Sequence, residues 1–521
     1  MEEISVAVIG AGPAGLAVLK NLKEEGFKVT GYEKRDSVGG VWAYSDDPLT
    51  TSTLSETVSN VSKFGNSFTD FPISDDLPAH LTASQTCDYI KSYAKHFDLD
   101  QHIQLNTSVN WIKRNANDTK WQISTTQAGK AEIKEFDKVA ICSGLSTKAI
   151  VPKFGGEESF KGEILHVQSF KRPSEFTGKR VLVVGIGNSG CDTTTQLIGH
   201  AKDIYLSHRG GVKILPRVVD GAPLDLVVSR QKNVIKFALD RYLPSVSRFL
   251  FDWTIERYSQ QAFKLDPSWR LSPAPSLANH QPVICDALVN SLWAKEATSV
   301  HGLKRFIGED KVELLDGTVL EVDTVILCTG YEPDFSITPD FNPLDTEKGG
   351  KTAGINETPL ARLYQNIFPP QYADSLAIIN YIALADGAIT ISDLVAMALP
   401  QIWKGRSPLP SVEVMNAAID KHHEWVRELG KDDSVYTGIV RPGPWFAFLN
   451  SAAGTGVDEK LGYGWEGWKF WMSDMKMSAL LMRGVMTPFM YRVFDEGKRK
   501  MWEGARDAIV HANEVVKVYG R

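Results

Sequence analysis

The chain opens on an apolar run, Ile4–Ile9, broken only by Ser5. The run stops at a glycine cluster and resumes as apolar residues at helical spacing through Leu16, Leu19 and Leu22. A short apolar run bounded by glycines predicts a buried strand, and the three-to-four-residue spacing after it predicts a helix packed on that strand. A second strand, KVTGYE (Lys28–Glu33), follows. The same order recurs downstream in KRVLVVGIGNSGCDTTTQLI and DIYLSHR: a strand Val181–Val184, a glycine cluster, a helix, and a strand Asp203–Arg209. Strand, helix, strand at this length is the βαβ unit of a parallel sheet, so the pattern predicts an α/β protein with two such units.

Two further apolar strands end alike, KVAICSG (Lys138–Gly144) and TVILCTG (Thr324–Gly330), and they bracket the second unit. The bracketing predicts a second domain inserted into the first, with these strands near the crossings. Just before the second of them, KVELLDGTVLEV predicts a hairpin that turns at its Asp-Gly dipeptide. Residues 211–294 are rich in aromatic and basic residues and predict a helical insertion; from Ser473 onward the chain is Met-rich with a helical pattern. The expected organisation is therefore a first domain in two parts, 1–165 and 326–472, a second domain over 166–325, and a C-terminal helical segment over 473–521.

Length and composition narrow the class. A chain of 521 residues exceeds one ordinary core, and 43% hydrophobic with 23% charged residues is the composition of a globular protein. A net charge of -6 argues against nucleic acid as a partner, because a phosphate backbone calls for a clustered basic surface. No signal-like segment precedes the first strand and no run reaches the roughly 18 apolar residues of a spanning helix, which predicts a cytoplasmic enzyme. Membrane-surface contact through residues 234–253 or 470–494 and a homodimer are compatible with the pattern. The five cysteines (Cys87, Cys142, Cys191, Cys285, Cys328) form no close pair in sequence, so neither a disulfide framework nor a metal site is expected. The His-His pair in KHHEW is expected on a solvated helix face.

The glycine clusters carry the chemistry. Gly10-Ala11-Gly12-Pro13-Ala14-Gly15 is GxGxxG between a strand and a helix. Its first glycine allows the tight turn, its second lets a pyrophosphate approach the backbone, and its third lets helix and strand pack closely. The helix start then offers unpaired N–H groups to the phosphates. Glu33, 18 residues beyond Gly15, ends the next strand, where a carboxylate can accept both ribose hydroxyls. Gly39-Gly40-Val41-Trp42 adds flexible backbone and a flat aromatic. This first Rossmann-like unit is expected to bind FAD through Gly10, Gly12, Pro13, Ala14, Gly15, Glu33, Gly40, Val41 and Trp42. The second cluster, Gly185-Ile186-Gly187-Asn188-Ser189-Gly190, repeats the pattern, but its second strand ends in Ser207, His208 and Arg209 without a carboxylate. A carboxylate there would repel the 2′-phosphate of NADPH. Arg209 and Ser207 are expected to bind it instead, beside Gly185, Gly187, Asn188, Ser189 and Gly190.

Between the two units runs FKGEILHVQSF (Phe160–Phe170). With both glycine motifs it resembles the flavin-containing monooxygenase family, whose fingerprint is FxGxxxHxxx ending in Tyr or Phe. EKRDSVGGVW, SNVSKFGNSFTDFP, GNSGCD, CTGY and TPFMYR extend the resemblance almost end to end. The resemblance implies hydride transfer from NADPH to FAD and use of O₂ by the reduced flavin. It further implies that NADP⁺ is retained and that an oxygen atom passes to a soft nitrogen or sulfur centre of a small molecule, with no protein nucleophile and no metal. It also implies that Asn60, which binds at the flavin–nicotinamide junction, is the catalytic residue, and that His166 organises the interface between domains. A Baeyer–Villiger monooxygenase would use the same cofactors on a ketone, but its fingerprint usually ends in Trp followed by Pro or Asp, where this chain has Phe170-Lys171-Arg172. A flavin disulfide reductase needs a cysteine pair near the flavin. A non-catalytic NADP sensor on the same fold would need no intact flavin site.

Overall fold

The computed structural model describes residues 3–344, 351, 359–379, 381–431 and 433–520. Its architecture is two five-stranded parallel sheets built on one plan. The first runs, in spatial order, Leu376–Ile378, Lys138–Ile141, Ser5–Ile9, Lys28–Tyr32 and Ile103–Gln104. The second runs Thr298–His301, Asp203–His208, Arg180–Val184, Thr324–Leu327 and Glu163–His166. In both, the strand that enters the glycine cluster lies at the centre and is buried on both faces, which is why it reads as a continuous apolar run.

The repeat extends beyond the sheets. A three-stranded antiparallel meander (Thr107–Arg114, Trp121–Gln127, Lys130–Phe136) precedes the return to the first sheet. A second one (Leu303–Phe306, Lys311–Leu314, Val319–Glu321) precedes the return to the second sheet. The expected hairpin forms in the latter, with Gly317 of its Asp-Gly turn at a φ of 85°. The helices Pro13–Glu24 and Ala388–Trp403 pack together on the first sheet in the largest apolar cluster, and Pro442–Ala453 joins them. Arg492 of the C-terminal TPFMYR segment is fully buried here, facing Asp70 at 3.2 Å and donating to Asn21 Oδ1 at 2.8 Å. The last fifty residues are thereby tied to the first helix.

The second unit is inserted as expected, but the boundaries at 165/166 and 325/326 each cut a strand. Glu163–His166 and Thr324–Leu327 pair with each other inside the second sheet. The chain instead crosses between units at the antiparallel pair Lys148–Ala149 and Tyr331–Glu332. Residues 211–294 contain the helices Arg230–Tyr242, Pro244–Ala262 and Leu288–Trp293, and the C-terminal segment contains Met475–Arg483 and Ala505–Val515. The His-His pair is not solvated. Its helix, Val412–Leu429, buries His423, whose Nε2 lies 3.0 Å from the Ala361 carbonyl and so carries the proton; burial holds the neighbouring His422 down at about 4.

Candidate cofactor and active site

The two glycine loops are near copies in three dimensions. Gly10 and Gly185 both take positive φ, 101° and 112°, closed to ordinary side chains. A Cβ on Gly15 would lie 1.8 Å from the Gly10 carbonyl oxygen, and one on Gly190 would lie 1.9 Å from that of Gly185. The third glycine of each motif is thus required by backbone meeting backbone. Cys142 and Cys328 explain the matching CSG and CTG endings. Their carbonyl oxygens press on Gly10 and Gly185, at 2.6 and 2.4 Å from where a Cβ would stand, so these strand ends form the floors of the loops. Both following helices, Pro13–Glu24 and Asn188–Gln196, begin at a glycine in extended conformation and carry no side-chain cap and no acidic residue in the first turn. Free N–H groups without a competing carboxylate are a donor set for phosphate.

Around the first loop the cover is close. The Gly39 N–H donates to Ala11 O at 3.0 Å, and a Cβ on Gly12 would lie 3.3 Å from the Gly40 Cα. Gly40–Trp42 forms a single 3₁₀ turn across the loop mouth, with Val41 exposed. Arg35 anchors this cover by donating to the carbonyls of Gly40 (2.7 Å), Ala43 and Tyr44. The Glu33 carboxylate is buried and accepts one bond per oxygen, from Ala11 N–H (2.8 Å) and Arg35 N–H (3.0 Å). A carboxylate has about four acceptor positions, so each oxygen keeps one for a ribose hydroxyl.

The second loop is open. A Cβ on Gly187 would meet no atom within 4 Å, and Asn188 and Ser189 are exposed. Strand register corrects the expectation for Ser207. Val184 pairs with Ser207 as Ile9 pairs with Tyr32, so the residue in Glu33's place is His208. The Ser207 hydroxyl is fully buried: it donates to His301 O at 3.3 Å and accepts from Leu303 N–H at 2.9 Å, which turns it away from any phosphate. His208 is buried too, its ring nitrogens each 2.8 Å from Gly210 O and Ser299 Oγ, and burial lowers its pKa. Arg209 alone of the three is exposed, and among the described residues it has no ion-pair partner.

The segment from residue 40 to residue 60 connects the units. Its start covers the first loop, and Val41 O accepts from Thr53 N–H at 2.8 Å. Its middle meets the second unit, where Gln168 donates to Thr51 Oγ1 at 2.7 Å and Lys171 to Thr50 O at 2.9 Å. Its end places the half-buried Asn60 against the insertion, where Arg217 Nη2 donates to Asn60 Oδ1 at 3.0 Å. Arg217 and Arg35 were not among the residues expected from sequence. In the fingerprint, Gly162 makes room for the Phe160 ring, since a Cβ would lie 2.4 Å from it. His166 Nε2 faces Gly330 O at 3.1 Å while Nδ1 accepts from Gln168 N–H at 3.2 Å; a single neutral tautomer satisfies both, and burial favours that form. His166 therefore links the second sheet to the crossing segment and offers no free nitrogen.

Residues 3–518 match the Flavin-binding monooxygenase-like family. Over 518 residues the chain is 40% identical to Monooxygenase aurF of Gibberella zeae, covering 98% of each protein. It is 32% identical to Flavin-containing monooxygenase 3 of Oryctolagus cuniculus, covering 97% of this chain and 91% of that one. The chain belongs to the flavin-binding monooxygenase-like family. Its fold is shared with the S-allyl-L-cysteine S-oxygenase of Allium sativum, at a TM-score of 0.62 and 18% identity over 99% of both chains. As a family member the protein is an oxidoreductase, a monooxygenase that uses FAD and NADPH. The residues present fit that pair: two uncapped helix starts behind glycine turns, one with a buried carboxylate at the end of its second strand and one with an exposed arginine one residue beyond the matching position.

Proposed function

We propose that this monooxygenase transfers one oxygen atom from O₂ to a soft nitrogen or sulfur nucleophile of a small organic molecule. FAD sits on Gly10, Gly12, Pro13, Ala14, Gly15, Glu33, Gly40, Val41 and Trp42, and NADPH on Gly185, Gly187, Asn188, Ser189, Gly190 and Arg209. The observation that carries the reading is the bridge formed by residues 40–60, which covers one nucleotide loop, meets the second unit at Thr50 and Thr51, and ends with Asn60 held by Arg217 of the insertion. When bound, FAD supplies hydride acceptance and oxygen activation, chemistry that no amino-acid side chain provides. The protein's own residues bind, orient and exclude water. Gly12 and Gly187 let backbone N–H groups reach phosphates, Glu33 fixes a ribose, Arg209 selects the 2′-phosphate, and Asn60 offers a neutral amide to the reacting centre.

The test is a side-by-side assay of a dialkyl sulfide, a tertiary amine and a cyclic ketone, with NADPH consumed and product formed both measured. Sulfoxide or N-oxide as the main product supports the reading, and a preference for lactone from the ketone refutes it. Asn60→Leu should retain FAD and still be reduced by NADPH, yet release hydrogen peroxide in place of product.

We also propose peripheral attachment to an anionic membrane surface. No described helix is long and apolar enough to cross a membrane. However, Trp465, Trp468 and Trp471 are all exposed on the helix Trp465–Ser473, with Lys469 and Lys476 exposed beside them. Tyr242, Phe249 and Trp253 are likewise exposed on the insertion. Aromatic rings flanked by lysines suit the headgroup region. Cosedimentation with vesicles containing phosphatidylserine, but not with phosphatidylcholine vesicles, is expected, and sedimentation with neither refutes the attachment.

A further inference from the structure

We infer that Arg217, contributed by the 211–294 insertion, is a positioning residue that fixes which end of the Asn60 carboxamide faces the reacting centre. The inference rests on the reading of Asn60 given above. A guanidinium has five N–H donors and no acceptor, so the Asn60 atom 3.0 Å from Arg217 Nη2 is the oxygen; a flipped amide would set donor against donor. The Asn60 NH₂ group is thereby turned away from Arg217, and among the described residues it has no hydrogen-bond partner. Asn60 is a donor by construction.

Arg217 cannot swing aside to release this choice. Its Nε donates to Ser59 O at 3.3 Å and its Nη2 to Val58 O at 3.2 Å, so it holds the backbone of the Asn60 segment as well as the side chain. Asp286 grips it at both ends, accepting from the Arg217 backbone N–H and from Nη1, each at 2.8 Å. Asp286 in turn follows the short strand Val283–Ile284, which pairs in parallel with Ile214–Leu215. The Ile284 N–H donates to Asn188 Oδ1 at 3.1 Å, and Asn188 is the first helical residue of the second glycine loop. Hydrogen bonds and the short backbone segment Ile284–Asp286 therefore connect the second glycine loop through Arg217 to Asn60. The insertion completes the active site and makes the orientation of Asn60 depend on the state of the nucleotide loop.

The experiment compares Arg217→Met, Arg217→Lys, Asp286→Asn and Asn60→Leu as FAD-loaded proteins. Product and hydrogen peroxide are measured per NADPH consumed, together with amide hydrogen exchange over residues 57–63 with and without NADP⁺. Arg217→Met should keep its flavin, lose product per NADPH by about tenfold, below the cost of removing a full oxyanion donor, and release the difference as peroxide. Its exchange over 57–63 should quicken and no longer respond to NADP⁺. Arg217→Lys should restore part of the coupling, because a lysine can still donate to Oδ1. Asp286→Asn, which leaves the other Arg217 contacts in place, should show the same changes in smaller degree and decides the matter if Arg217→Met does not fold. Normal coupling and unchanged exchange in folded Arg217→Met or Asp286→Asn, with Asn60→Leu uncoupled, overturn the inference and leave the Asn60 reading standing. Normal coupling in Asn60→Leu itself overturns both.

Discussion

The second and third glycines of the second loop, where NADPH binding is proposed, differ in a way that separates folding from binding. Gly187 has φ -75° and ψ -177°, extended backbone that any residue adopts, and its Cβ direction is clear for 4 Å. Alanine there weakens a helix cap and also reduces the freedom of the unfolded chain. These effects are of similar size and opposite sign, so the net change in stability should stay within about 0.5 kcal/mol. The new methyl nevertheless points into the space through which a pyrophosphate approaches the backbone. An overlap of this kind costs about 1–3 kcal/mol, which is roughly a five- to 150-fold loss of NADPH affinity. Gly190→Ala is the opposite case. Its Cβ would stand 1.9 Å from the Gly185 carbonyl oxygen, so strand and helix must part by about 1 Å merely to reach 3.0 Å. Backbone lies on both sides and neither can rotate away, so the loss of stability should reach the upper end of the same 1–3 kcal/mol range or pass it. Thermal melts of the FAD-loaded variants measure the first quantity. Anaerobic flavin reduction at a series of NADPH concentrations measures the second. Gly187→Ala should melt with the wild type, stay yellow and need far more NADPH. If it is reduced with an unchanged concentration dependence, the loop does not bind NADPH; if it is as unstable as Gly190→Ala, the geometric argument is wrong.

Three further outcomes are expected. Arg209→Ala should raise KM for NADPH about 10- to 100-fold, from the loss of a charge-assisted bond of roughly 1.5–3 kcal/mol, with little change for NADH, whereas Ser207→Ala should lower the melting temperature and leave the NADPH-to-NADH ratio unchanged. Burial pushes the Asp192 carboxyl up to about 6 against the opposing pull of Arg217. The folded protein therefore holds this proton more tightly than the unfolded chain between about pH 4 and 6, and its stability falls as pH rises through that window. Asp192→Asn should consequently stabilise the nucleotide-free protein at pH 7.5, by an amount on the order of 1–3 kcal/mol that shrinks toward pH 5, and equal melting temperatures at pH 7.5 would refute the burial argument. On desalting, FAD should remain with the protein while NADP⁺ is removed, as absorbance spectra of the eluted fractions will show; loss of both together would contradict the difference in enclosure between the loops.

Local structure was legible in the sequence. The two glycine loops, their strands and helices, and the Asp-Gly hairpin all rest on residues within about thirty positions of one another, where spacing dictates geometry. Ser207 was misjudged although the sequence held the correction: His208 stands as far beyond Gly185 as Glu33 does beyond Gly10, so counting alone puts Ser207 at the position equivalent to the buried Tyr32. The domain boundaries erred for another reason. Glu163–His166 and Thr324–Leu327 pair across more than 150 residues, and nothing in either strand announces its partner. Arg217 and Asp286 were out of reach in the same way. Each is an ordinary charged residue in an irregular insertion, and only the short parallel pairing of Ile214–Leu215 with Val283–Ile284 brings them together beneath Asn60. The burial of His423 likewise depends on a carbonyl at Ala361 that the helical pattern around it cannot reveal.

Two loops of one geometry stand in different surroundings, and the tasks proposed for them follow from that difference. Gly10–Gly15 is roofed by Gly39–Trp42, pinned by Arg35, and sealed at its far end by the buried Glu33. A nucleotide held there must lift a hydrogen-bonded segment to leave, which suits a cofactor that stays through every turnover. Gly185–Gly190 has no such roof: Gly187 faces open space, and Asn188, Ser189 and Arg209 are exposed. A nucleotide there is bound by groups at the surface, where one charge-assisted contact contributes enough for selectivity but not for permanence. That suits a co-substrate exchanged at each cycle. The loop is nonetheless linked to Asn60, the residue proposed at the reacting centre, since Asn188 touches the strand that leads through Asp286 and Arg217 to it. On the proposed assignment, enclosure of the flavin and exposure of the nicotinamide nucleotide are set by the segments around the motifs. The motifs themselves supply only the common grip on phosphate.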